Sequence, residues 1–143
     1  MKRAILAVSL MAAAFASFTP VLGQQRLPGD TGSPEERGIQ SLNNSGQVGF
    51  VTLHPRGDRT SIVIDLHSAR GRVEPAHVHR GKDCIPADVD PKPTYPLKDV
   101  VNERSVTTID APLAKLLSGN YVIMVHASAK NMGTYVACAQ LSP

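Results

Sequence analysis

The sequence predicts an all-β fold, built as an antiparallel sandwich or barrel. Short segments rich in β-branched and apolar residues recur along the chain, and Gly- and Pro-containing breaks separate them. In 60–67 apolar and polar residues alternate, which puts Ile62, Ile64 and Leu66 on one face of the expected strand. No segment after residue 23 carries a long helical period. Many short strands without long helices favour packed or closed antiparallel sheets.

The amino-acid composition indicates a single packed domain and argues against two classes of binding site. A chain of 143 residues with 42% hydrophobic and 19% charged residues suits one packed domain. A formal charge of +3, with no run of Lys or Arg beyond Lys2 and Arg3, argues against a nucleic-acid partner. Aromatic residues make up only 4% of the chain and Trp is absent, which argues against a large aromatic pocket.

Residues 1–23 have the features of a secretory signal peptide. Lys2 and Arg3 form a basic start, 4–18 is an apolar run, and 21–23 suits a cleavage site after Gly23. A membrane anchor is the alternative, but the run is short for a spanning helix. We therefore expect a periplasmic or secreted protein that has no membrane attachment once the signal is cleaved.

The mature chain divides into a lead-in and a β domain. Residues 24–45 are rich in Gly, Pro, Ser, Asn and charge, which predicts a flexible N-terminal segment or an added edge strand. Within 46–143 a turn at 56–59 joins the first two strands into a hairpin, 81–96 with its four prolines is an irregular loop, and 112–117 can form a helical turn. The six segments with strand character are, in chain order, 48–53, 60–67, 76–79, 106–109, 120–127 and 134–141.

The expected export favours a disulfide between the two cysteines. Cys84 and Cys138 both lie in the mature chain, and two cysteines in an oxidising compartment allow one intramolecular pairing. The alternative is that Cys84 is a thiolate metal ligand beside nearby histidines.

The histidines carry the chemistry that the sequence indicates. His77 and His79 are two apart in an expected strand, so their imidazoles point to the same side. His126 ends another expected strand, on the face that carries Val122 and Met124. If these strand ends meet, three imidazoles converge on a site suited to copper or zinc, and the affinity order puts copper(II) first. The alternative is a set of unrelated surface histidines.

Two short motifs resemble those of copper/zinc superoxide dismutases, above all the bacterial periplasmic ones. The first is Ala76-His77-Val78-His79 followed by Cys84, and the second is Val125-His126 followed by Tyr135-Val136-Ala137-Cys138. The resemblance extends over most of 46–141. It implies a superoxide dismutase-like Greek-key β-barrel over 46–143, a Cys84–Cys138 disulfide, and His77, His79 and His126 as copper ligands.

The chain also departs from that family. Residues 85–110 contain no His, whereas the family has its bridging and zinc histidines there. Tyr135 stands where the family has an arginine that guides superoxide, and only 12 positions separate His126 from Cys138, too few for the family's electrostatic loop. We therefore expect one copper per chain and no zinc.

A few further residues could complete or assist such a site. The thioether of Met132 could be an axial ligand, because thioethers favour copper(I). Arg80, Lys82 and Lys130 flank the histidines in sequence and could steer an anion such as superoxide, although ordinary solvated charge is the alternative. The remaining histidines, His54 and His67, are expected at the surface.

Three functions follow from this sequence. The first is an exported copper-binding protein acting in copper handling or oxidative-stress defence. The second is a superoxide dismutase that uses copper alone, with superoxide as its substrate. The third is a metal-free structural or binding β-sandwich. The dismutase is ranked below the copper-binding protein because the chain lacks the family's arginine and bridging histidine.

Overall fold

The computed structural model describes residues 25–142, so the predicted signal peptide 1–23 lies outside the described residues. Within 25–142 the chain forms one antiparallel sheet of ten strands, one α-helix and one short 3-10 helix, which confirms the predicted all-β class. The helix α1 is Leu113–Ser118 and the 3-10 helix is Pro86–Asp88. The strands are β1 Glu35–Ser41, β2 Val48–Arg56, β3 Arg59–His67, β4 Val73–Glu74, β5 Ala76–Arg80, β6 Pro93–Pro96, β7 Val100–Val101, β8 Arg104–Ile109, β9 Tyr121–Ser128 and β10 Asn131–Gln140.

The sheet curls back on itself. Its strand order is β4-β7-β8-β3-β2-β1-β10-β9-β5-β6. Only Pro75 separates β4 from β5 in the chain, although they stand near opposite ends of this order. The backbone N–H of His126 in β9 donates to the carbonyl of Pro75, with the nitrogen and oxygen 2.8 Å apart. The two ends of the sheet therefore meet at Pro75, and the shape is that of a curled half-barrel.

Most predicted strands are present close to their predicted bounds. The strands β2 and β3 pair along their whole lengths, from Val48 opposite His67 to Arg56 opposite Arg59, which confirms the hairpin and its turn. The helical turn predicted at 112–117 is α1. The additional strands β4, β6 and β7 have two to four residues each, too few for a period-two pattern to be read.

The N-terminal segment differs from the expectation of a flexible 24–45. Strand β1 lies inside the sheet, hydrogen-bonded between β2 and β10, so it is neither flexible nor an edge strand. Only Ile39 of β1 enters the core, and the other side chains of the strand are partly or fully exposed. Backbone pairing on both sides orders this polar stretch, and such pairing leaves no apolar period in the sequence.

The residues before β1 are held against the outside of the hairpin by a buried ion pair. Asp30 Oδ2 lies 3.0 Å from His54 Nδ1 and accepts the N–H of Leu27 at 2.7 Å, while Arg56 Nε is 3.3 Å from Asp30 Oδ1. The side chains of Asp30 and His54 are 1% and 5% exposed. The expectation of a surface His54 is therefore wrong, because the partner that buries it lies 24 residues away along the chain.

Two apolar clusters lie on opposite faces of β5 and β9. The main core contains Val78 and Ile123 among its members, and fills the inside of the curled sheet. A smaller cluster of Val122, Met124, Cys138 and Val89 lies outside, because neighbouring residues in a strand point to opposite faces. The candidate site is on this outer side.

Candidate metal centre

Three histidines converge on the outer face of β5 and β9. These strands pair with His77 opposite Met124 and His79 opposite Val122, which puts both histidines on the face that also carries His126. The Nδ1 atom of His77 lies 3.0 Å from Nε2 of His126. One ring nitrogen from each of the three histidines falls within 4.8 Å of the others. The predicted meeting of the two motifs thus occurs in the fold.

Backbone carbonyls orient two of the three rings. His79 Nδ1 lies 2.8 Å from the carbonyl oxygen of Asp90, and His126 Nδ1 lies 2.6 Å from that of Met132. A carbonyl only accepts, so each Nδ1 carries the proton and each Nε2 presents a lone pair. Nε2 of His79 is buried and has no hydrogen-bond partner among the described residues.

The donor set fits a metal ion. Nitrogens bound to one ion at about 2.0 Å lie about 3–3.5 Å from one another, so three nitrogens within 4.8 Å need only a small shift, on the order of 1 Å, to close on one ion. A metal would also satisfy the buried lone pair of His79 Nε2, which otherwise costs free energy. Hydrogen bonds from ligand imidazoles to carbonyls are the usual outer-shell support of such ions.

The surroundings lower the pKa of His77 and of His126, which favours the neutral form that binds metal. Burial lowers the pKa of His77, the positive charges that His126 and His79 would carry lower it further, and Asp99 opposes them in part. Burial also lowers the pKa of His126, with a smaller contribution from His79, although the hydrogen bond to Met132 acts in the opposite direction. Protons therefore compete weakly for both rings near pH 7.

These pKa shifts predict how the stability of the metal-free protein depends on pH. Because the pKa values of His77 and His126 are lower in the folded chain than the ordinary 6.5, the unfolded chain binds more protons below pH 6.5. The free energy of unfolding should thus change little with these groups above pH 6.5 and fall as the pH drops below it. Urea unfolding with a chelator present, at several pH values from 7.5 to 5, measures this slope. The variant His77→Ala should have a shallower slope, and an equal slope would contradict the assignment.

The Cys84–Cys138 disulfide forms as predicted, across a sequence separation of 54, so the alternative of a Cys84 thiolate ligand is wrong. It attaches the loop after β5 to β10, and Cys138 is itself part of the outer apolar cluster. The N–H of Asp90 donates to the carbonyl of Arg80 at 2.8 Å, and its own carbonyl accepts from His79. The disulfide and these two hydrogen bonds hold the loop against the histidines.

The charged residues proposed for anion steering are exposed. The guanidinium carbon of Arg80 lies 5.1 Å from the ring centre of Tyr121, and Arg80 alternates with His79 along β5, which points it to the other face. Lys82 and Lys130 are both exposed in loops. Met132 contributes its backbone carbonyl to the His126 ring, while the residue as a whole is 38% exposed.

The carbonyl contacts to the rings of His79 and His126 were not foreseen from the sequence. The carbonyls of Asp90 and Met132 have no sequence signature, since every residue has a carbonyl. The ring of Tyr135, opposite His126 in the pairing of β9 and β10, lies 5.0 Å from the His126 ring and 6.3 Å from the His79 ring. Tyr135 therefore lines the site beside two of the three histidines.

No protein-family model and no curated protein matches this chain. None of the helices in residues 25–142 has the length and apolar character needed to cross a membrane.

Proposed function

We propose that this chain is an exported copper-binding protein that holds one copper ion with His77, His79 and His126, and that acts in copper handling or oxidative-stress defence. The observation that carries the proposal is the buried lone pair of His79 Nε2, unpartnered among the described residues and grouped with a nitrogen of each other histidine. The proposal includes a superoxide dismutase-like Greek-key barrel. Its support is that the two histidine motifs lie on paired strands and that the cysteine after each joins the other.

The donor chemistry favours copper over zinc. A structural zinc ion takes four protein ligands, usually with cysteine among them, whereas both cysteines here form a disulfide. In the part of the chain that the structure describes, the three histidines are the one group of three or more His, Cys, Asp or Glu residues placed to share an ion. Neutral imidazoles suit copper, and copper(II) exceeds zinc in affinity at a given nitrogen site.

The three histidines would hold the ion in different ways. His79 and His126 present Nε2 lone pairs in orientations set by their carbonyl partners, and His77 offers a ring nitrogen from the more open side. The outer apolar cluster and the disulfide lie on the same side of β9 as the histidines. Bound copper would supply one-electron redox chemistry at this point of the surface.

Copper titration of the mature, oxidised chain tests the proposal. We expect one copper per chain, measured by elemental analysis and native mass, with nitrogen coordination in the copper(II) paramagnetic resonance spectrum. The His77/His79/His126 triple alanine variant should lose this copper, and His67→Ala, which removes an exposed histidine at the end of β3, should keep it. If the triple variant binds copper as tightly as the wild type, the site is elsewhere and the metal-free sandwich becomes the better description.

One observation favours the copper-only dismutase as a second candidate. His77 is only half-buried, so a small anion has access to the histidines from that side. The copper-loaded protein should then accelerate superoxide loss above both the triple alanine variant and an equal amount of copper in buffer. Equal rates would leave copper handling as the function.

A further inference from the structure

We infer that the three histidines have unequal roles in metal exchange: His79 and His126 anchor the ion, and His77 is the ligand that leaves when the ion is passed on. This inference rests on the proposed copper function. It concerns how the site releases copper. The presence of a copper site does not by itself determine which ligand leaves first.

The two anchors are fixed by bonds outside the ligand group. His79 and His126 are 1% and 3% exposed, and each donates its Nδ1 proton to a backbone carbonyl. The carbonyl of Asp90 belongs to the loop that the disulfide attaches to β10, and that of Met132 belongs to β10 itself. Neither ring can turn away from the centre without breaking a partly buried hydrogen bond to a backbone carbonyl, which is costly.

His77 has no comparable support within residues 25–142. Its ring makes one hydrogen bond in that range, from Nδ1 to Nε2 of His126, and the partner is itself a member of the three-histidine group. A bound metal takes over the Nε2 lone pair of His126, which is the acceptor of this bond, so the bond cannot hold the ring once the ion is present. The residue is also half-buried rather than buried, which gives the ring room to rotate towards solvent.

The chemical consequence is a directional exchange. An incoming ligand from a chelator or an acceptor protein meets the ion on the His77 side and takes the coordination position that His77 vacates. His79 and His126 keep the ion until the incoming ligand supplies further donors. Soft thiolate or thioether donors on an acceptor would favour copper(I) in this exchange.

Release kinetics test the inference. Wild-type protein loaded with one copper(II) is mixed with excess EDTA, and the loss of the copper absorption band is followed by stopped flow. We expect the rate to rise with EDTA concentration, because the chelator competes with His77 for its position. His77→Ala should keep one copper per chain when the ion is added stoichiometrically at micromolar protein, and should release it at least about tenfold faster, the lower end of what loss of one supporting group at a metal site costs.

The anchors have a matched substitution. In His79→Asn and His126→Asn the side-chain amide can still donate to the carbonyl of Asp90 or Met132, while the Nε2 ligand is gone. Both variants should lose stoichiometric binding, with circular dichroism confirming that they fold, and His67→Ala should match the wild type in stoichiometry and rate.

The outcomes separate the two proposals. If wild-type protein takes up no copper, the proposed function fails and this inference falls with it. If the wild type binds copper but His77→Ala loses it as fully as His79→Asn, or releases it at the wild-type rate, copper binding stands and the unequal roles are overturned.

Discussion

Replacing Cys84 and Cys138 together with alanine is expected to lower the free energy of unfolding by about 4 kcal/mol. The disulfide closes a loop across a sequence separation of 54, and its removal restores conformational entropy to the unfolded chain. Alanine is the better choice here than serine, because Cys138 is 1% exposed within the outer apolar cluster, where a hydroxyl would be buried without need. Urea unfolding of the metal-free protein measures the change.

Reduction of the wild-type protein provides the matched control for the disulfide. Wild type with a reductant should lose stability to a similar extent, and the double alanine variant should not respond to the reductant. A loss below about 1 kcal/mol in both would contradict the prediction, because it would mean that the unfolded chain is already compact without the disulfide.

Asp30→Ala is expected to cost about 3 kcal/mol, the lower end of what removing one partner of a buried ion pair costs. The Asp30 carboxylate is 1% exposed and contacts His54, Arg56 and the N–H of Leu27. Its loss leaves a buried imidazole and a backbone N–H without an acceptor, and it frees the chain before β1. The measurement is again urea unfolding, with trypsin cleavage near Arg26 reporting on release of the segment.

Asp110→Ala is the control for Asp30→Ala. Asp110 also pairs with an arginine, Arg59, but the side chains are 87% and 52% exposed. An exposed ion pair contributes about 0–1 kcal/mol, so this variant should stay close to the wild type. Equal losses in the two variants would contradict the assignment of a buried, stabilising role to the contacts of Asp30 with His54 and Arg56.

The contribution of Asp30 to the free energy of unfolding should also depend on pH. Burial alone raises the pKa of Asp30, but the hydrogen bonds from His54 and Leu27 and the charges of His54 and Arg56 outweigh it, so the net pKa is lowered from 3.8. A carboxyl with a lowered pKa in the folded state stabilises the fold above its unfolded pKa. This contribution should persist above pH 3.8, decline as the pH falls through the lowered value, and be absent from Asp30→Ala.

Particular elements show how far sequence patterns reach in this fold. The hairpin of β2 and β3 was predictable because Ile62, Ile64 and Leu66 alternate towards the core and a glycine turn precedes them. Strand β1 was not, because its backbone is ordered by two neighbouring strands while only Ile39 needs burial. An apolar period records side-chain burial, and backbone hydrogen bonds to distant strands leave no such record.

Some features of the candidate site were likewise predictable from the sequence, and others depended on the fold. The shared face of His77 and His79 follows from the two-residue period of a strand, and two cysteines in one chain allow a single internal pairing. Their meeting with His126 required β5 and β9, 40 or more residues apart in the chain, to become neighbours in the sheet.

The sequence by itself determined the all-β class, the principal strands, the disulfide partners, and the shared face of His77 and His79. Only the tertiary structure decided which nitrogens face one another, which carbonyls hold the rings of His79 and His126, and that Asp30 buries His54. The physical reason is the range of the interactions. Strand period and residue chemistry are local properties that the order of residues encodes directly, whereas carbonyl contacts and buried ion pairs depend on segments that meet only when the sheet has curled.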